Sequence, residues 1–344
     1  MMYLACSKQG GLRALFLLVG IVLLSGCWPK EQHFNEIQGR TMGTFYQVIV
    51  EAPSGSQTLL QQRIDYKLQQ ISQTFSTYLP DSEINQLSQA AAGEWLAVSS
   101  DMLQVMLAAQ QVYQQSSGAF DPTVRTLVDQ WGFGPLQRAD VIPDDQTLAS
   151  ALAEVGFSAV TIDAEQSKIL KQQARQFELS GVAKGYAVDQ IANFLSAQGH
   201  SNFLVNIGGD IRVEGNRRDG TPWRVAIEHP DQEQQAVYQT LRVTDLAVLT
   251  SGDYRNFFMV DGERFSHTLD PFTGFPIDHG LASVTVLAES AALADAWATA
   301  FTVLGFEASK ALSQELAIPL LMLNRDQDEF QVYSNEFFQQ ALAE

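Results

Sequence analysis

Residues 291–300, AALADAWATA, constrain the fold more than any other stretch of this chain. Almost every side chain in the stretch is small or apolar, so a helix of this sequence must be enclosed by other elements. Its one acid, Asp295, lies four residues before the hydroxyl of Thr299, and this spacing puts both on one helix face. Because an unpaired buried carboxylate is costly, Asp295 needs a cation, a basic side chain or a solvent-exposed rim.

Periodicity alone leaves two interpretations of this pair open. Asp295 can be a salt-bridged or rim residue while Thr299 bonds back to its own helix. Alternatively, the two oxygens can bind a metal ion. A set made only of oxygen ligands selects a hard ion, Mg²⁺ or Ca²⁺, rather than Zn²⁺.

The chain is large enough to enclose such a helix in one domain, with 344 residues of which 46% are hydrophobic. Its 21 basic and 39 acidic residues give a net charge of −18. This charge disfavours nucleic acid as a partner and repels anionic surfaces in general. An anionic ligand therefore needs a local source of positive charge or hydrogen-bond donors, such as a metal ion, a helix N-terminus or a group of backbone amides.

The N-terminus predicts a lipoprotein signal peptide. Two basic residues precede the apolar run LFLLVGIVLL, which is too short to span a membrane, and the run ends in LSGC. Small residues before Cys27 resemble a bacterial lipobox, in which this cysteine is lipidated; an ordinary signal peptide with an incidental cysteine is the alternative. The predicted organisation is a signal peptide over 1–26, a lipidated tether over 27–35 and one domain over 36–344.

The hydrophobic patterns predict an α+β fold in which mixed or antiparallel sheets pack with helices. Helices are expected over 58–76, 99–118, 183–199 and 291–300. Strands are expected over 44–52, 159–162, 169–170, 202–210, 210–214, 223–228, 241–243, 247–249 and 281–288. A surface loop is expected over 129–145, where glycine and proline are frequent.

Three further segments could carry chemistry. ELSGVAKGYAVD, residues 178–189, predicts a strand, a glycine turn and a helix start whose free amides and Lys184 could face a phosphate. NIGGD, residues 206–210, predicts a strand that ends in a tight turn, and SHTLDPFTG places His267 in a structured loop. The alternative for the two glycine segments is a plain turn with packing glycines, and the alternative for His267 is a hydrogen-bonded spacer. The sequence contains no GxSxG or HExxH motif, so no protein nucleophile is indicated.

Eight segments, taken in order, together resemble the FAD:protein FMN transferase (ApbE) family. They are GRTMGT, STY, GAFDPTV, LSGVAKGYAVD, NIGGD, SGDYRN, SHTLDPFTG and ADAWATA. The resemblance implies that FAD binds with Mg²⁺ at its pyrophosphate. A threonine hydroxyl of a target protein then attacks the phosphorus nearer riboflavin, AMP leaves, and FMN stays on the target.

The resemblance also implies roles for individual residues. Asp295, Thr299 and the backbone carbonyl of Gly181 would ligate Mg²⁺, and His267 would take the threonine proton. The residues implied to contact FAD are Met42, Tyr78, Ala119, Phe120, Asp121, Glu178, Lys184 and Leu269.

The implied targets are membrane redox subunits of the sodium-translocating NADH:quinone reductase or Rnf type. The implied location is the periplasmic face of the cell envelope, with the inner membrane as the expected anchor through the lipid on Cys27. Three other functions remain open. They are a Mg²⁺-dependent FAD pyrophosphatase that releases FMN and AMP, a non-catalytic FAD-binding lipoprotein, and a structural lipoprotein of the envelope.

Overall fold

An eight-stranded sheet forms the centre of the protein in the computed structural model, which describes residues 32–135, 142–230, 236–253, 256–327 and 329–343. Every neighbouring pair of strands in it is antiparallel. In spatial order the strands are β1 (Gln32–Thr41), β2 (Thr44–Pro53), β6 (Phe203–Ile207), β7 (Asp210–Glu214), β10 (Leu246–Gly252), β13 (Leu281–Ala288), β14 (Leu320–Asp326) and β15 (Glu329–Ser334).

Four long helices cover one face of this sheet and enclose the main hydrophobic core. They are α1 (Gln57–Phe75), α3 (Ser100–Gln115), α6 (Ser180–Ala197) and α7 (Ala291–Glu315). The shorter helices are α2 (Glu83–Gln89), α4 (Arg125–Gln130), α5 (Asp145–Leu152) and α8 (Glu336–Ala343). Within the described ranges, no helix is both long and apolar enough to cross a membrane.

The opposite face of the sheet is covered by a β-hairpin and α8, which form a second core. The hairpin consists of β8 (Trp223–Glu228) and β9 (Val237–Val243). Since both faces of the sheet are covered, a central strand has apolar residues on both sides, and seven consecutive residues of β13 are buried.

Two small sheets complete the fold. One has the order β3 (Trp95–Ala97), β5 (Lys168–Lys171), β4 (Val160–Asp163), and the other pairs β11 (Phe257–Val260) with β12 (Glu263–Ser266). A third apolar cluster joins the β11–β12 hairpin to α4 and α5 around the buried Trp131. These elements confirm the predicted α+β class with antiparallel sheets.

The structure corrects the predicted extent of the tether. Residues 32–35 were expected to be tether, but they belong to β1, whose first residue, Gln32, lies opposite Pro53 of β2. This edge strand is mostly polar, and Ile37 is its only fully buried residue, so it shows no hydrophobic alternation from which a strand could be predicted. Cys27 and the predicted signal peptide lie outside the described residues.

Two local predictions were also wrong. The residues directly before Ser180, where α6 begins, form no strand. Phe177 and Leu179 are buried on either side of Glu178 and so imitate the alternation of a strand. The Glu178 amide, however, donates to the Pro122 carbonyl of a loop and not to a neighbouring strand. The expected loop over 129–145 includes the end of α4 and the start of α5, and its residues 136–141 are outside the described part.

The crossing of α6 and α7 is unusually close because two glycines of α6 lie at the contact. A Cβ placed on Gly185 would lie 2.2 Å from the Ala291 carbonyl oxygen and 2.8 Å from Asp295 Cβ. A Cβ placed on Gly181 would lie 2.9 Å from Thr299 Oγ1. The two helix backbones can therefore approach this closely only with glycine at both positions.

We predict that Gly185→Ala destabilises the protein by about 2–3 kcal/mol, because the new methyl group overlaps a helix backbone that cannot move without repacking the core. Urea unfolding monitored by circular dichroism measures this loss. The matched control is Asn193→Ala at an exposed position of the same helix, which should change stability by less than about 0.5 kcal/mol. Equal stability of the two variants would show that the crossing tolerates a side chain.

Candidate active site

The carboxylate of Asp295 is buried at the crossing of α6 and α7, with only 7% of the residue exposed. Its Oδ2 accepts a hydrogen bond from the Gly185 amide at 2.9 Å. Burial raises the pKa of Asp295 to about 7, the nearby Asp210 carboxylate contributes in the same direction, and Lys184 opposes the shift. The ionised carboxylate is thus under-compensated, and an added cation would stabilise it.

Lys184 and Asp210 form an ion pair beside this carboxylate, with 2.6 Å between Nζ and Oδ2. Asp210 is the first residue of β7 and follows the double-glycine turn of NIGGD, whereas Lys184 lies in the first two turns of α6. The Asp210 side chain is 3% exposed and that of Lys184 is 32% exposed. Lys184 therefore reaches from the buried carboxylate towards solvent, where a phosphate could contact it.

The three residues predicted to bind a metal meet at the crossing of α6 and α7. Thr299 Oγ1 lies against the Gly181 backbone, and Asp295 occupies the preceding turn of the same face of α7. In the part of the chain that the structure describes, Thr302 donates its hydroxyl back to the Ala298 carbonyl at 2.7 Å, but no such bond is found for Thr299. The Thr299 hydroxyl thus remains available as a ligand.

These donors fit a hard divalent ion. A buried carboxylate with a raised pKa, a hydroxyl and a backbone carbonyl are all oxygen ligands of the kind that Mg²⁺ prefers. Among the described residues there is no group of three or more histidine, cysteine, aspartate or glutamate side chains that could hold a metal. A site here would consequently include fewer than three such side chains and would need further ligands from water or from a phosphate.

His267 lies on the loop after β12, and its Nδ1 is 3.0 Å from the Asn256 carbonyl oxygen. Because a carbonyl only accepts, Nδ1 carries the hydrogen, and the neutral ring therefore has its lone pair on Nε2. Burial lowers the pKa of His267, with smaller contributions in the same direction from Lys184 and Arg264. The ring is thus neutral at physiological pH, as a proton acceptor must be.

Ala119, Phe120 and Asp121 lie on the loop after α3, and the Phe120 ring contacts the Gly181 position. Both oxygens of the Asp121 carboxylate already have partners: Oδ1 accepts from the Thr123 amide and hydroxyl, and Oδ2 accepts from the Phe157 amide. Asp121 thus holds the loop in shape, which leaves backbone atoms of the loop to face a ligand.

Glu178 lies beside Gly181 and accepts a hydrogen bond from the Ser180 amide at 3.0 Å. Burial raises the pKa of Glu178. The Asp129 carboxylate raises this pKa further, whereas the Arg125 guanidinium lowers it. Arg125 and Asp129 are themselves buried and paired at 3.1 Å one turn apart on α4. This pair was not predicted from the sequence, although the i, i+4 spacing of Arg125 and Asp129 on one helix is a signal that could have indicated it.

The three remaining candidates occupy turns or loops around the site. Met42 has a positive φ of 48° in the turn between β1 and β2, next to the NIGGD turn, where the Gly208 amide donates to the Phe45 carbonyl. Tyr78 is 65% exposed on the loop after α1. The Leu269 side chain packs into the cluster around Trp131, so only its backbone is free to contact a ligand.

Two aspartates that were not predicted from the sequence hold the elements around the site together. Asp189, on α6, accepts from the amides of Ala291 and Ala292, from the Ser290 hydroxyl and from Arg212, and so caps the N-terminus of α7. Asp253, at the end of β10, pairs with Arg264 and Arg325 and thereby ties the hairpin that leads to His267 to β14. Both acids lie within the quoted motifs, but a motif does not reveal which backbone amides a carboxylate will reach.

Comparisons with known proteins place these features in a family. The model of the ApbE family matches residues 42–322. A FAD:protein FMN transferase from Vibrio cholerae serotype O1 is 40% identical over 333 residues, which cover 96% of this chain and 98% of the relative. A FAD:protein FMN transferase from Escherichia coli K12 is 33% identical over 337 residues, which cover 95% and 96% of the two chains.

Solved structures agree with the sequence comparison. The flavin transferase ApbE from Vibrio cholerae superposes with a TM-score of 0.84 at 39% identity, covering 90% of this chain and 99% of that one. The apo form of the Pseudomonas stutzeri flavinyl transferase ApbE superposes with a TM-score of 0.83 at 34% identity, covering 92% and 99%. The chain therefore belongs to the ApbE family and is a transferase.

Proposed function

We propose that this protein transfers FMN from FAD to a threonine hydroxyl of a target protein and releases AMP, with Mg²⁺ bound by Asp295, Thr299 and the Gly181 carbonyl. The observation that carries the proposal is the buried, under-compensated carboxylate of Asp295, beside the Lys184–Asp210 pair and at the helix crossing where Gly181 meets Thr299. The names of the relatives at 33–40% identity support the flavin chemistry.

The chain's own residues would position the reacting groups. Lys184 would contact the pyrophosphate from the start of α6, and the loop at 119–121 with Glu178 would hold the rest of FAD near Gly181. When bound, Mg²⁺ would neutralise phosphate charge and stabilise the charge that develops on the leaving AMP. Phosphoryl transfer depends mainly on such positioning and electrostatics, in keeping with the absence of a nucleophile motif from the sequence.

His267 would accept the proton of the acceptor hydroxyl on Nε2. The threonine oxygen forms a bond to the phosphorus nearer riboflavin, and the bond from that phosphorus to the bridging oxygen breaks, so the electron pair leaves with AMP. The hydrogen bond from Nδ1 to Asn256 fixes the ring in the tautomer that this transfer needs. Water in place of the threonine would give FMN and AMP instead.

We also propose where the protein works. Cys27 would carry the lipid, the domain would lie at the periplasmic face of the inner membrane, and the targets would be membrane redox subunits of the sodium-translocating NADH:quinone reductase or Rnf type. The lipobox-like LSGC segment supports the anchor.

The direct test mixes the mature protein with FAD, Mg²⁺ and a candidate target subunit. Intact-mass and peptide spectrometry should show an FMN phosphodiester on one threonine of the target and one AMP released per adduct. The same target with that threonine replaced by valine is the control. Free FMN and AMP with an unmodified target would identify a pyrophosphatase, and FAD bound but unchanged would identify a carrier.

Asp295→Asn should separate metal binding from folding. Since burial raises the pKa of Asp295 from 3.8 to about 7, the folded metal-free protein binds the proton more tightly than the unfolded chain. Its stability therefore falls as the pH rises from 4 to 7 and stays low above 7. At pH 8 without divalent ions, the variant should melt a few degrees higher than the unaltered protein, because the amide oxygen can still accept from Gly185.

Magnesium should reverse this order. Added Mg²⁺ should raise the melting temperature of the unaltered protein but not that of Asp295→Asn, and the variant should show no FMN transfer. Asp326→Asn, at an exposed strand end, is the control and should behave like the unaltered protein in both respects. An equal magnesium shift in both aspartate variants would refute the proposed ligand.

His267→Ala should slow FMN transfer by about 10²–10⁴-fold at pH 7.5, the usual contribution of a general base. FAD affinity, measured by fluorescence titration, should change by less than about threefold, because the proposal gives this ring no part in holding FAD. An unchanged rate would mean that another group, or none, accepts the proton. A rate loss matched by weaker FAD binding would instead make His267 a binding residue.

A further inference from the structure

The hairpin of β11 and β12, which leads directly to His267, is not part of the eight-stranded sheet. Among the described residues, its two strands form a sheet of their own. The ladder of backbone hydrogen bonds therefore fixes the two strands to each other, but not to the elements that carry Asp295 and Lys184. The position of His267 relative to those residues consequently depends on the side chains of the hairpin.

The inner face of the hairpin rests on an aromatic cluster. Phe258 and Phe265 lie opposite each other with ring centres 5.3 Å apart. The Phe265 ring stacks on Trp131 and the Phe258 ring stacks on Phe133. Apolar contacts of this kind are non-directional, so they hold the hairpin against the end of α4 without setting its place as strictly as an ion pair of defined geometry would.

Arg264 supplies the directional contact on the outer face. Because successive side chains of a strand alternate between its faces, Arg264 projects away from Phe265. The central carbon of its guanidinium lies 4.2 Å from the centre of the Phe257 ring, and Nη1 is 3.1 Å from Asp253 Oδ2. Nη2 also donates to the backbone carbonyl of Asp253. The guanidinium thus holds Asp253 at two points and contacts an aromatic ring of β11 as well.

Asp253 is in turn fixed to the eight-stranded sheet. It directly follows β10, and both oxygens of its buried carboxylate accept from Arg325 of β14, at 2.8 and 3.0 Å. A bidentate pair of arginine and carboxylate has a defined geometry. Since β10 also pairs with β7, whose first residue is Asp210, the Asp253 backbone continues from a strand that neighbours the partner of Lys184.

The last link to the histidine is the carbonyl of Asn256, directly before Phe257. This oxygen accepts hydrogen bonds from both the amide and the Nδ1 of His267, each at 3.0 Å. One carbonyl therefore sets the backbone of His267 and the orientation of its ring. A displacement of Arg264 would move Phe257 and, with it, the carbonyl that orients the ring.

The same contacts set the charge near the histidine. Two ion-paired sets lie there: one is Asp253 with Arg264 and Arg325, and the other is Lys184 with Asp210. Burial lowers the pKa of His267, Lys184 and Arg264 lower it further, and Asp253 raises it. The first set carries one net positive charge. Without its carboxylate it would carry two, and His267 would become a weaker base.

We propose that Asp253 is a positioning residue for His267: through Arg264 and the Asn256 carbonyl it holds the ring in place, and its charge limits the positive charge around the ring. The role in transfer rests on the proposed function, in which His267 accepts the proton of the acceptor hydroxyl. Asp253 belongs to the SGDYRN segment, to which the proposed function gives no part. A purely structural tie would change folding but not the proton affinity of the ring.

Asp253→Asn removes the charge and keeps the size of the side chain. FMN transfer at saturating FAD and target should fall about 10-fold, because the base is weaker and less strictly held. The KM for FAD should change by less than about twofold. Since the ring would lose its proton at a lower pH, the acid limb of the pH–rate profile should move to lower pH by about 0.5 unit or more.

A compensated variant separates charge from position. Asp253→Asn combined with Arg325→Gln restores the net charge of the three side chains, so the acid limb should return to the pH found for the unaltered protein. The rate on the plateau should stay low, because an amide holds Arg264 less firmly than a carboxylate does. Arg325→Lys keeps the charge and loses the bidentate geometry. It should slow transfer several-fold with the limb unmoved, and it serves as the test if Asp253→Asn does not fold.

The ring of His267 can also be followed without turnover. The chain has five histidines, so NMR of protein labelled in the histidine rings resolves its titration once His267→Gln has assigned the signal. Asp253→Asn should lower the measured pKa of His267 in the absence of FAD and target. The matched control is Asp219→Asn, which removes the acid of the Arg217–Asp219 pair beyond the end of β7 that lies away from the NIGGD turn. It should leave both the titration and the rate unchanged.

Several outcomes would overturn the proposal. Equal His267 titrations in Asp253→Asn and Asp219→Asn would do so, as would a normal rate in Asp253→Asn. A rate that falls only in step with the melting temperature, with the acid limb unmoved, would make Asp253 a structural residue. If the unaltered protein transfers no FMN, the proposed function is refuted, and the NMR titration still decides whether Asp253 sets the state of His267.

Discussion

The contact between α6 and α7 is the interaction on which the rest of the site depends. Positions 181, 185 and 189 form one stripe along α6, and this stripe meets α7 three times. Gly181 meets Thr299, Gly185 meets Asp295, and Asp189 caps the first turn of α7. The two helices are antiparallel and contact each other through glycine. The same alignment that lets Asp189 cap α7 therefore also brings Gly181, Asp295 and Thr299 to one crossing.

The buried carboxylate at this contact lowers the stability of the folded protein. A carboxylate whose pKa is raised to about 7 by burial destabilises the folded metal-free protein at neutral pH, and Asp210 adds to the strain. An apolar residue at position 295 would pack with less cost among the surrounding alanines. The proposed metal ion would therefore account for an acid at position 295, which folding does not, whereas Asp189, with four donors around it, is explained by folding.

The sequence allowed the buried elements to be predicted better than the exposed ones. Residues 281–288 and 223–228 matched β13 and β8, since burial on both faces or on alternate residues leaves a clear apolar pattern. The first four residues of β1 were mistaken for tether because an edge strand receives its stability from hydrogen bonds to β2, which leave no trace in composition. The helix expected over 99–118 begins one residue later, at Ser100, because Ser99 is its N-cap.

For the site, the helical periodicity predicted that Asp295 and Thr299 share a face. The free-energy cost of burying the Asp295 carboxylate, and the groups that contact it, could be seen only in the structure. Asp210 lies 85 positions before Asp295 in the sequence. No sequence pattern shows that the Asp210 carboxylate is close enough to raise the pKa of Asp295. Long-range placement of this kind follows from the order of the strands, which brings the NIGGD turn beside the N-terminal part of α6. Local motifs identified the residues, and only the topology of the sheet assembled them.

The charges at the centre of the site also explain why a cation and FAD are expected together. With Asp295 ionised, the cluster of Lys184, Asp210 and Asp295 carries one net negative charge. The pyrophosphate of FAD is a dianion and would be repelled by this cluster as well as by a protein of net charge −18. Under the proposed function, one divalent ion would change the sign of the cluster. The site would then repel FAD in the absence of metal and attract it in its presence.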